Sequence, residues 1–285
     1  MREPRGETLE ANGLLHRVWT WEPRAPREGT ILCAHGFLDV GRTFHWMATA
    51  LAERGHRVMA FDWRGHGESQ WLPAGAYYHF FDYVGDLEAL VRLCVEGPLT
   101  LVGHSMGGTA SVLFSASFPE LVDRLVLVEG LGPEAPEVLP GPTLTRRWVD
   151  SVRKAREKPL RPQPSLEAAA ERILARNPGL DPQRAKAIAS WSMREVEGGF
   201  VWRFDPVHRT RGPYPFRPEV FAEFLRSLPM PVLCIEGERG YRTRDHEERR
   251  ALLEGARFVE VPGAGHMLHW ENPEALADAI DAFVA

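Results

Sequence analysis

One serine in this chain lies between glycines in the pattern G-x-S-x-G, in residues 102–108, Val-Gly-His-Ser-Met-Gly-Gly. A serine that attacks a carbonyl carbon must expose its Oγ at a very tight turn, and flanking glycines let the two backbones approach closely. An ordinary glycine-rich turn has a similar composition. However, an apolar strand pattern at 99–102 precedes Ser105 and a helical pattern at 109–117 follows it. This order favours Ser105 as a nucleophile for acyl chemistry.

A serine hydroxyl is a poor nucleophile at neutral pH and needs a base that titrates near neutrality, which is the range of histidine. His266 is the candidate, because it lies on the loop that leaves the strand pattern at 257–261. By itself it could equally be a surface-loop histidine. The presence of the serine motif around Ser105 favours the interpretation of His266 as a base. His269 is a weaker alternative, and we expect the turn to direct His104 elsewhere.

The rest of the chain supplies elements that can bring these residues to one edge of a sheet. A hairpin is predicted at 7–22 around Asn12-Gly13, a dipeptide that favours a tight turn. Strand and helix patterns then alternate, with strands predicted at 30–34, 57–61, 99–102, 125–128, 232–235 and 257–261. Helices are predicted at 43–54, 81–95, 109–117, 218–227, 245–253 and 273–284. Such alternation builds a mostly parallel α/β sheet covered by helices on both faces.

The alternation stops from Gly130 to about Pro218, where prolines cluster. Within this stretch we predict three helices, at 145–157, 165–175 and 181–193. The sequence therefore predicts a core formed by residues 1–130 and 215–285, with a helical insertion at 131–214.

Composition excludes several classes of function. A hydrophobic content of 44% and a net charge of -5 predict a soluble globular protein with no general attraction for nucleic acid or anionic membranes. The N-terminal residues are polar, and no apolar run of about 18 residues occurs, so we expect a cytoplasmic protein. Cys33, Cys94 and Cys234 lie far apart in apolar patterns, which predicts a reducing compartment and no metal site. The oligomeric state is left open.

Four motifs in this order resemble the α/β-hydrolase superfamily, from about residue 14 to the C-terminus. They are His35-Gly36-Phe37, the run Asp-Trp-Arg-Gly-His-Gly-Glu-Ser at 62–69, the serine motif, and Gly265-His266. The resemblance implies an α/β-hydrolase sheet, mostly parallel, with a helical cap inserted after the sixth strand. It also implies structural roles for His35, Asp62, Arg64 and His66.

The resemblance implies a role for each motif in acyl transfer. Ser105 attacks and His266 acts as base and then as acid. The backbone N–H groups of Phe37 and Met106 form the oxyanion hole, and Met106 benefits from the positive end of the following helix.

The acid partner of His266 departs from the superfamily's usual pattern, because Gly240 stands where most members carry an aspartate. Three alternatives follow. Glu129, directly after the sixth strand, can supply the carboxylate, as some members do. Glu238 can supply it with a shifted loop. In the third alternative there is no acid, and the protein is a non-catalytic small-ligand-binding protein on this scaffold. Strand ends in open α/β sheets form the ligand-binding edge, which favours Glu129.

The predicted activity is that of a serine hydrolase, a carboxylesterase that cleaves an ester or related acyl bond through an acyl-serine intermediate. It needs no metal or organic cofactor, and its partner is a small-molecule acyl substrate. C–C bond hydrolysis, lactonase and amidase activities use the same machinery and remain open. A serine nucleophile argues against haloalkane dehalogenase and epoxide hydrolase chemistry, which the superfamily performs with aspartate.

The inserted cap is expected to shape the substrate pocket. Its aromatic residues can line an apolar pocket or simply pack: Trp148, Trp191, Phe200 and Trp202. Its basic residues predict a solvated face, and a site for acidic substrates is the alternative: Arg146, Arg147, Arg153, Lys154, Arg156, Lys158 and Arg161.

Overall fold

The computed structural model describes residues 3–285, which contain an eight-stranded sheet in the order β1-β2-β4-β3-β5-β6-β9-β10 and a separate hairpin, β7-β8. β1 and β2 pair antiparallel, and β2 joins β4 antiparallel. All remaining pairs of the main sheet are parallel. The strands are β1 Arg5–Ala11, β2 Leu14–Trp21, β3 Thr30–Ala34, β4 Arg57–Phe61, β5 Leu99–His104, β6 Arg124–Val128, β7 Met193–Val196, β8 Gly199–Trp202, β9 Val232–Gly237 and β10 Arg257–Val261.

Helices cover both faces of the main sheet, and the fold class predicted from the sequence is confirmed. Successive strand residues point to opposite faces, so Leu32 belongs to one apolar cluster and Ile31 to the other. The helices are α1 His45–Glu53, α2 Phe80–Cys94, α3 Met106–Ser117, α4 Gly141–Glu157, α5 Leu166–Arg176, α6 Pro182–Ser192, α7 Pro218–Arg226, α8 His246–Ala251, α9 Leu268–Glu271 and α10 Pro273–Val284. Residues of α2, α3 and α7 pack in the first cluster, and residues of α1 and α10 pack in the second.

The β7-β8 hairpin was not predicted, since the sequence favoured one helix through Met193. The helix instead ends at Ser192, and Met193–Val196 pairs antiparallel with Gly199–Trp202. Gly198 in the turn and Gly199 at the start of β8 have φ values of 83° and 135°, which other residues rarely adopt. Strands of four residues are too short to establish a period of two against the helical pattern before them.

The segment predicted as a cap has an apolar cluster of its own, formed mainly by α5 and α6, which pack through Ile173 and Ile188. Trp46 of α1 and Trp270 of α9 are half-buried against this cluster. The segment therefore rests on core helices near the loop that follows β10. The boundaries at 131 and 214 stay a prediction.

Candidate functional site

Two neighbouring parallel strands carry Ser105 and Glu129 to the same edge of the sheet. β5 pairs with β6 so that His104 lies opposite Val128, and Ser105 and Glu129 are the next residues on each strand. The Ser105 N–H donates to the Val128 carbonyl oxygen at 3.0 Å, which holds the two strand ends together. The carboxyl ends of parallel strands are where open α/β sheets bind ligands.

Both residues sit on tight turns in the left-handed region, each with φ of 52°. A side chain there costs about 1–3 kcal/mol, so the surrounding structure must impose it. At Ser105 the constraint is close packing, because a Cβ added at Gly103 would lie 2.6 Å from Gly108 Cα. A Cβ at Gly108 would lie 2.6 Å from Gly130 Cα in turn. The glycines therefore let α3 start directly above β5 and β6, as the serine motif predicts.

His266 links the serine to the glutamate. Its Nε2 lies 3.0 Å from Ser105 Oγ, and its Nδ1 lies 3.1 Å from Glu129 Oε2. An ionised carboxylate only accepts, so Nδ1 carries the hydrogen and Nε2 is free to accept the Ser105 hydroxyl proton. The His266 side chain is 33% exposed, so the ring is partly accessible from outside the protein.

The Glu129 carboxylate is completely buried and receives four donors. Oε1 accepts from the Gly237 N–H at 2.8 Å and lies 3.2 Å from Arg242 Nη1. Oε2 accepts from the Tyr241 N–H at 2.6 Å as well as from His266. A buried charge is tolerated only when it is hydrogen-bonded and paired, and both conditions hold here.

Gly240 lies against this carboxylate. A Cβ added at Gly240 would collide with Glu129 Oε1 and lie 2.5 Å from Cδ. The missing side chain at position 240 therefore leaves the space that the longer Glu129 side chain fills from the neighbouring strand.

Glu238 points to another partner. Its Oε2 accepts from the Gly263 N–H at 2.7 Å, on the loop that leads to His266. Within residues 3–285, no hydrogen bond joins Glu238 to His266 itself, so the geometry favours Glu129 between the two carboxylates.

The two proposed oxyanion donors flank the serine. Met106 is the first residue of α3, and the first N–H groups of a helix have no partner within it. Phe37 follows Gly36, whose added Cβ would lie 3.3 Å from Ser105 Cβ, so this loop passes directly beside Ser105. Leu38 at φ 60° then turns the chain away.

A buried cluster behind the site was missed in the sequence, since its members come from three separate segments. Asp39 Oδ2 lies 2.9 Å from His269 Nε2, and His104 Nε2 donates to the His266 carbonyl oxygen at 2.9 Å. Burial raises the pKa of Asp39 to about 7 and lowers the pKa of His269 to about 3. His269, the weaker alternative base, is therefore bound to Asp39 and not to Ser105.

Ligand atoms of Asp39, His104 and His269 lie within 4.8 Å of one another. Their existing hydrogen bonds already connect the Phe37 loop to the His266 loop. Asp39 further accepts from the Val40 N–H at 2.8 Å and the Thr43 hydroxyl at 2.9 Å.

The motif residues with implied structural roles make structural contacts. Asp62 accepts from the Gly41 N–H at 2.6 Å, and Arg64 Nε donates to Asp86 at 2.6 Å. His35 Nε2 accepts from the Trp63 N–H at 3.0 Å. These bonds order the loops around the serine.

The aromatic residues of the predicted cap make packing contacts. The Trp191 ring lies 5.2 Å from the Trp46 ring, and the Trp148 ring lies 5.5 Å from that of Tyr77. Phe200 and Trp202 pack against the α5-α6 cluster. A role in lining a pocket stays a prediction, as does any role of the basic residues between Arg146 and Arg161.

The sequence model that describes the alpha/beta hydrolase family matches residues 31–279 of this chain. A serine hydrolase-like protein of Danio rerio is 31% identical over 280 residues, which cover 94% of this chain and 84% of that protein. The mouse protein named sn-1-specific diacylglycerol lipase ABHD11 is 27% identical over 266 residues, 90% of this chain and 80% of that protein.

Among solved structures, the thioesterase domain from the curacin biosynthetic pathway superposes with a TM-score of 0.87 at 26% identity, covering 99% of this chain and 100% of that one. In the part of the chain that the structure describes, every helix is too short or too polar to cross a bilayer.

Proposed function

This chain belongs to the alpha/beta hydrolase family, and we propose that it is a serine hydrolase that cleaves a carboxylic ester or related acyl bond through an acyl-serine intermediate. The observation that carries the proposal is the continuous chain of contacts from Ser105 Oγ through His266 to Glu129, at 3.0 and 3.1 Å.

In the first half-reaction, His266 Nε2 takes the proton of Ser105 while Oγ bonds to the carbonyl carbon of the substrate. Glu129 holds the ring in the required tautomer and stabilises the imidazolium that forms. The carbonyl oxygen becomes an oxyanion and accepts from the N–H groups of Phe37 and Met106, each worth on the order of 3 kcal/mol of barrier.

Collapse of this intermediate breaks the bond to the leaving group, which receives the proton from His266 Nε2. The acyl group remains on Ser105. Water then loses a proton to His266, attacks the acyl carbon and releases the carboxylic acid, and the proton returns to Ser105 Oγ. Every step uses side chains and backbone groups that the chain itself provides.

We propose a carboxylic ester as the substrate class. The named activities of two relatives, a diacylglycerol lipase and a thioesterase, support an acyl group bound to oxygen or sulfur. Lactones, amides and C–C bonds are alternatives for the same machinery.

The rival is a binding protein without activity, which the glycine at position 240 first suggested. The buried carboxylate of Glu129 in that space favours the enzyme. A fluorophosphonate probe distinguishes the two, since it labels only an activated serine. We expect labelling of the folded protein and none of Ser105→Ala. A folded wild-type protein that stays unlabelled would overturn the proposal that this protein is an enzyme.

The substrate is then narrowed with p-nitrophenyl esters of increasing acyl length, alongside thioesters, lactones and amides. Ser105→Ala serves as the blank for each. We expect esters to give the highest kcat/KM. A higher kcat/KM for amides or lactones would mean that one of these, and not an ester, is the substrate class.

A further inference from the structure

We infer that Arg242 is a positioning residue that holds the Glu129 carboxylate. Its charge reduces the extent to which Glu129 favours protonated His266, so Arg242 sets the pH below which activity is lost. This inference rests on the proposed function, because it concerns the same serine, histidine and glutamate.

Arg242 braces the loop that encloses Glu129. Its Nη1 lies 3.2 Å from Glu129 Oε1 and donates to the Tyr241 carbonyl oxygen at 3.2 Å. Its Nη2 donates to the Gly237 carbonyl oxygen at 3.0 Å. The N–H groups of Gly237 and Tyr241 are the two backbone donors to Glu129. The guanidinium therefore holds both the carboxylate and the two residues that bind it.

A second buried carboxylate lies on the other side of Arg242. Glu236 Oε2 is 3.5 Å from Arg242 Nη2 and 3.0 Å from Arg250 Nη1, and its Oε1 is 2.9 Å from His246 Nε2. Arg250 and His246 thus share Glu236 with Arg242, and the shorter of the two carboxylate contacts of Arg242 is the one to Glu129.

The groups that face His266 complete the electrostatic setting. In direct contact are Glu129 and Ser105, and the rings of His104 and Tyr241 lie at 5.0 and 6.1 Å. Behind His104 lie His269 and its partner Asp39, and Glu271 accepts from the N–H of Gly265, the residue before His266. The pKa of His104 is held well below its usual range by burial, so this ring is neutral beside His266. Glu129 is the carboxylate in contact with the His266 ring, and Arg242 is the cation in contact with that carboxylate.

The sign of the effect follows from charge. Glu129 favours the imidazolium form of His266, which cannot accept the serine proton. Arg242 offsets part of that negative charge and so favours the neutral ring that the reaction needs. Arg242 and His266 are separated by the Glu129 carboxylate, and solvent partly screens their interaction. We therefore expect loss of the Arg242 charge to move the pH profile by about half to one pH unit.

Three variants separate charge from structure. Arg242→Gln removes the charge and keeps a donor, Arg242→Lys keeps the charge, and Arg242→Met is a second neutral variant of similar length. Arg244→Gln is the matched control, since the Arg244 side chain is 94% exposed and its nearest acid is Glu134 at 3.8 Å.

Two measurements are made on each folded variant. The first is the rate of fluorophosphonate labelling of Ser105 from pH 5 to 9, which needs no knowledge of the substrate. The second is an NMR titration of the His266 ring, assigned by comparison with His266→Gln, which does not depend on activity.

For Arg242→Gln and Arg242→Met we expect the ring midpoint and the acidic limb of labelling to move up together by about half to one pH unit. Labelling below the midpoint falls about 3- to 10-fold. Arg242→Lys and Arg244→Gln stay at the wild-type midpoint. An unmoved ring midpoint in both neutral variants, with labelling lowered equally at every pH, would reduce Arg242 to a structural brace and overturn the inference. If the ring midpoint moves but the wild-type serine never labels, the effect of Arg242 on the His266 ring stands, whereas the proposed function fails and with it the acid limit of activity.

Discussion

The carboxylate of Glu129 occupies the space into which a side chain at position 240 would project, although the two residues belong to loops after different strands. Glu129 follows β6, and position 240 follows β9, the neighbouring parallel strand. The longer side chain of glutamate and the left-handed turn at residue 129 let the carboxylate reach His266 from one strand away.

This relationship predicts that Glu129→Gln lowers the acylation rate of Ser105 by two to four orders of magnitude, by analogy with other triads. Glutamine presents an amide in place of the charge that stabilises the imidazolium. Glu238→Gln is the matched control and should keep most of the rate, because its carboxylate binds the Gly263 N–H. The test is stopped-flow acylation with a p-nitrophenyl ester, and equal mild losses in both variants would reject Glu129 as the acid.

The acid should also be transferable between the two positions. Gly240→Asp alone is expected to destabilise the protein, because the new side chain collides with Glu129. In Glu129→Ala with Gly240→Asp that space is free, and we expect the double variant to be at least 10-fold more active than Glu129→Ala. Activity and thermal unfolding of the three variants form a double-mutant cycle. A double variant no better than Glu129→Ala would mean that position 240 cannot reach His266.

The loop beside the serine should be intolerant of a single methyl group. A Cβ at Gly36 would lie 2.7 Å from His104 Nδ1 and 3.3 Å from Ser105 Cβ, so it must push the Phe37 N–H away from the oxyanion. We expect Gly36→Ala to lower kcat about 10- to 100-fold with a smaller change in KM. Gly141→Ala is the control, since nothing lies within 4 Å of its added Cβ. Unchanged kinetics in Gly36→Ala would argue against an oxyanion role for this loop.

Acidification should destabilise the fold through buried neutral histidines. Burial lowers the pKa of His66 to about 4 and that of His208 to about 2. Their ring centroids lie 4.1 Å apart, where the core meets the segment that follows β8. Both take up a proton near pH 6.5 in the unfolded chain but stay neutral in the folded protein. Their contribution to the free energy of unfolding is therefore complete above that pH and is lost as the pH drops towards 4.

Urea unfolding between pH 7.5 and 5 measures this slope. We expect His66→Asn to flatten it, because the variant no longer gains a proton on unfolding at this position. His79 is exposed, so His79→Asn serves as the matched control for the change from histidine to asparagine. A slope that His66→Asn leaves unchanged would place the acid sensitivity elsewhere.

Local signals in the sequence were enough to predict the order of strands and helices in the core and the turn that presents Ser105. Alternation of apolar residues, the Asn12-Gly13 turn and the glycines around Ser105 act over a few neighbouring residues, and the observed elements agree with the predictions within a few positions. The β7-β8 hairpin was not predicted, because its four-residue strands are too short for an alternation of apolar and polar residues to be recognised.

The partners of His266 depended on tertiary structure. Glu129 and Glu238 both follow strands at the same sheet edge, and the sequence could only weigh one against the other. Their side chains separate because the turn at residue 129 is left-handed and Gly240, which has no side chain, leaves room for the Glu129 carboxylate, whereas Glu238 binds the Gly263 N–H. Contacts between loops distant in the chain decide such directions, since no local spacing records how far a carboxylate must reach. The sequence by itself determined which serine could act, and only the packing of neighbouring strand ends decided which carboxylate lies against its histidine.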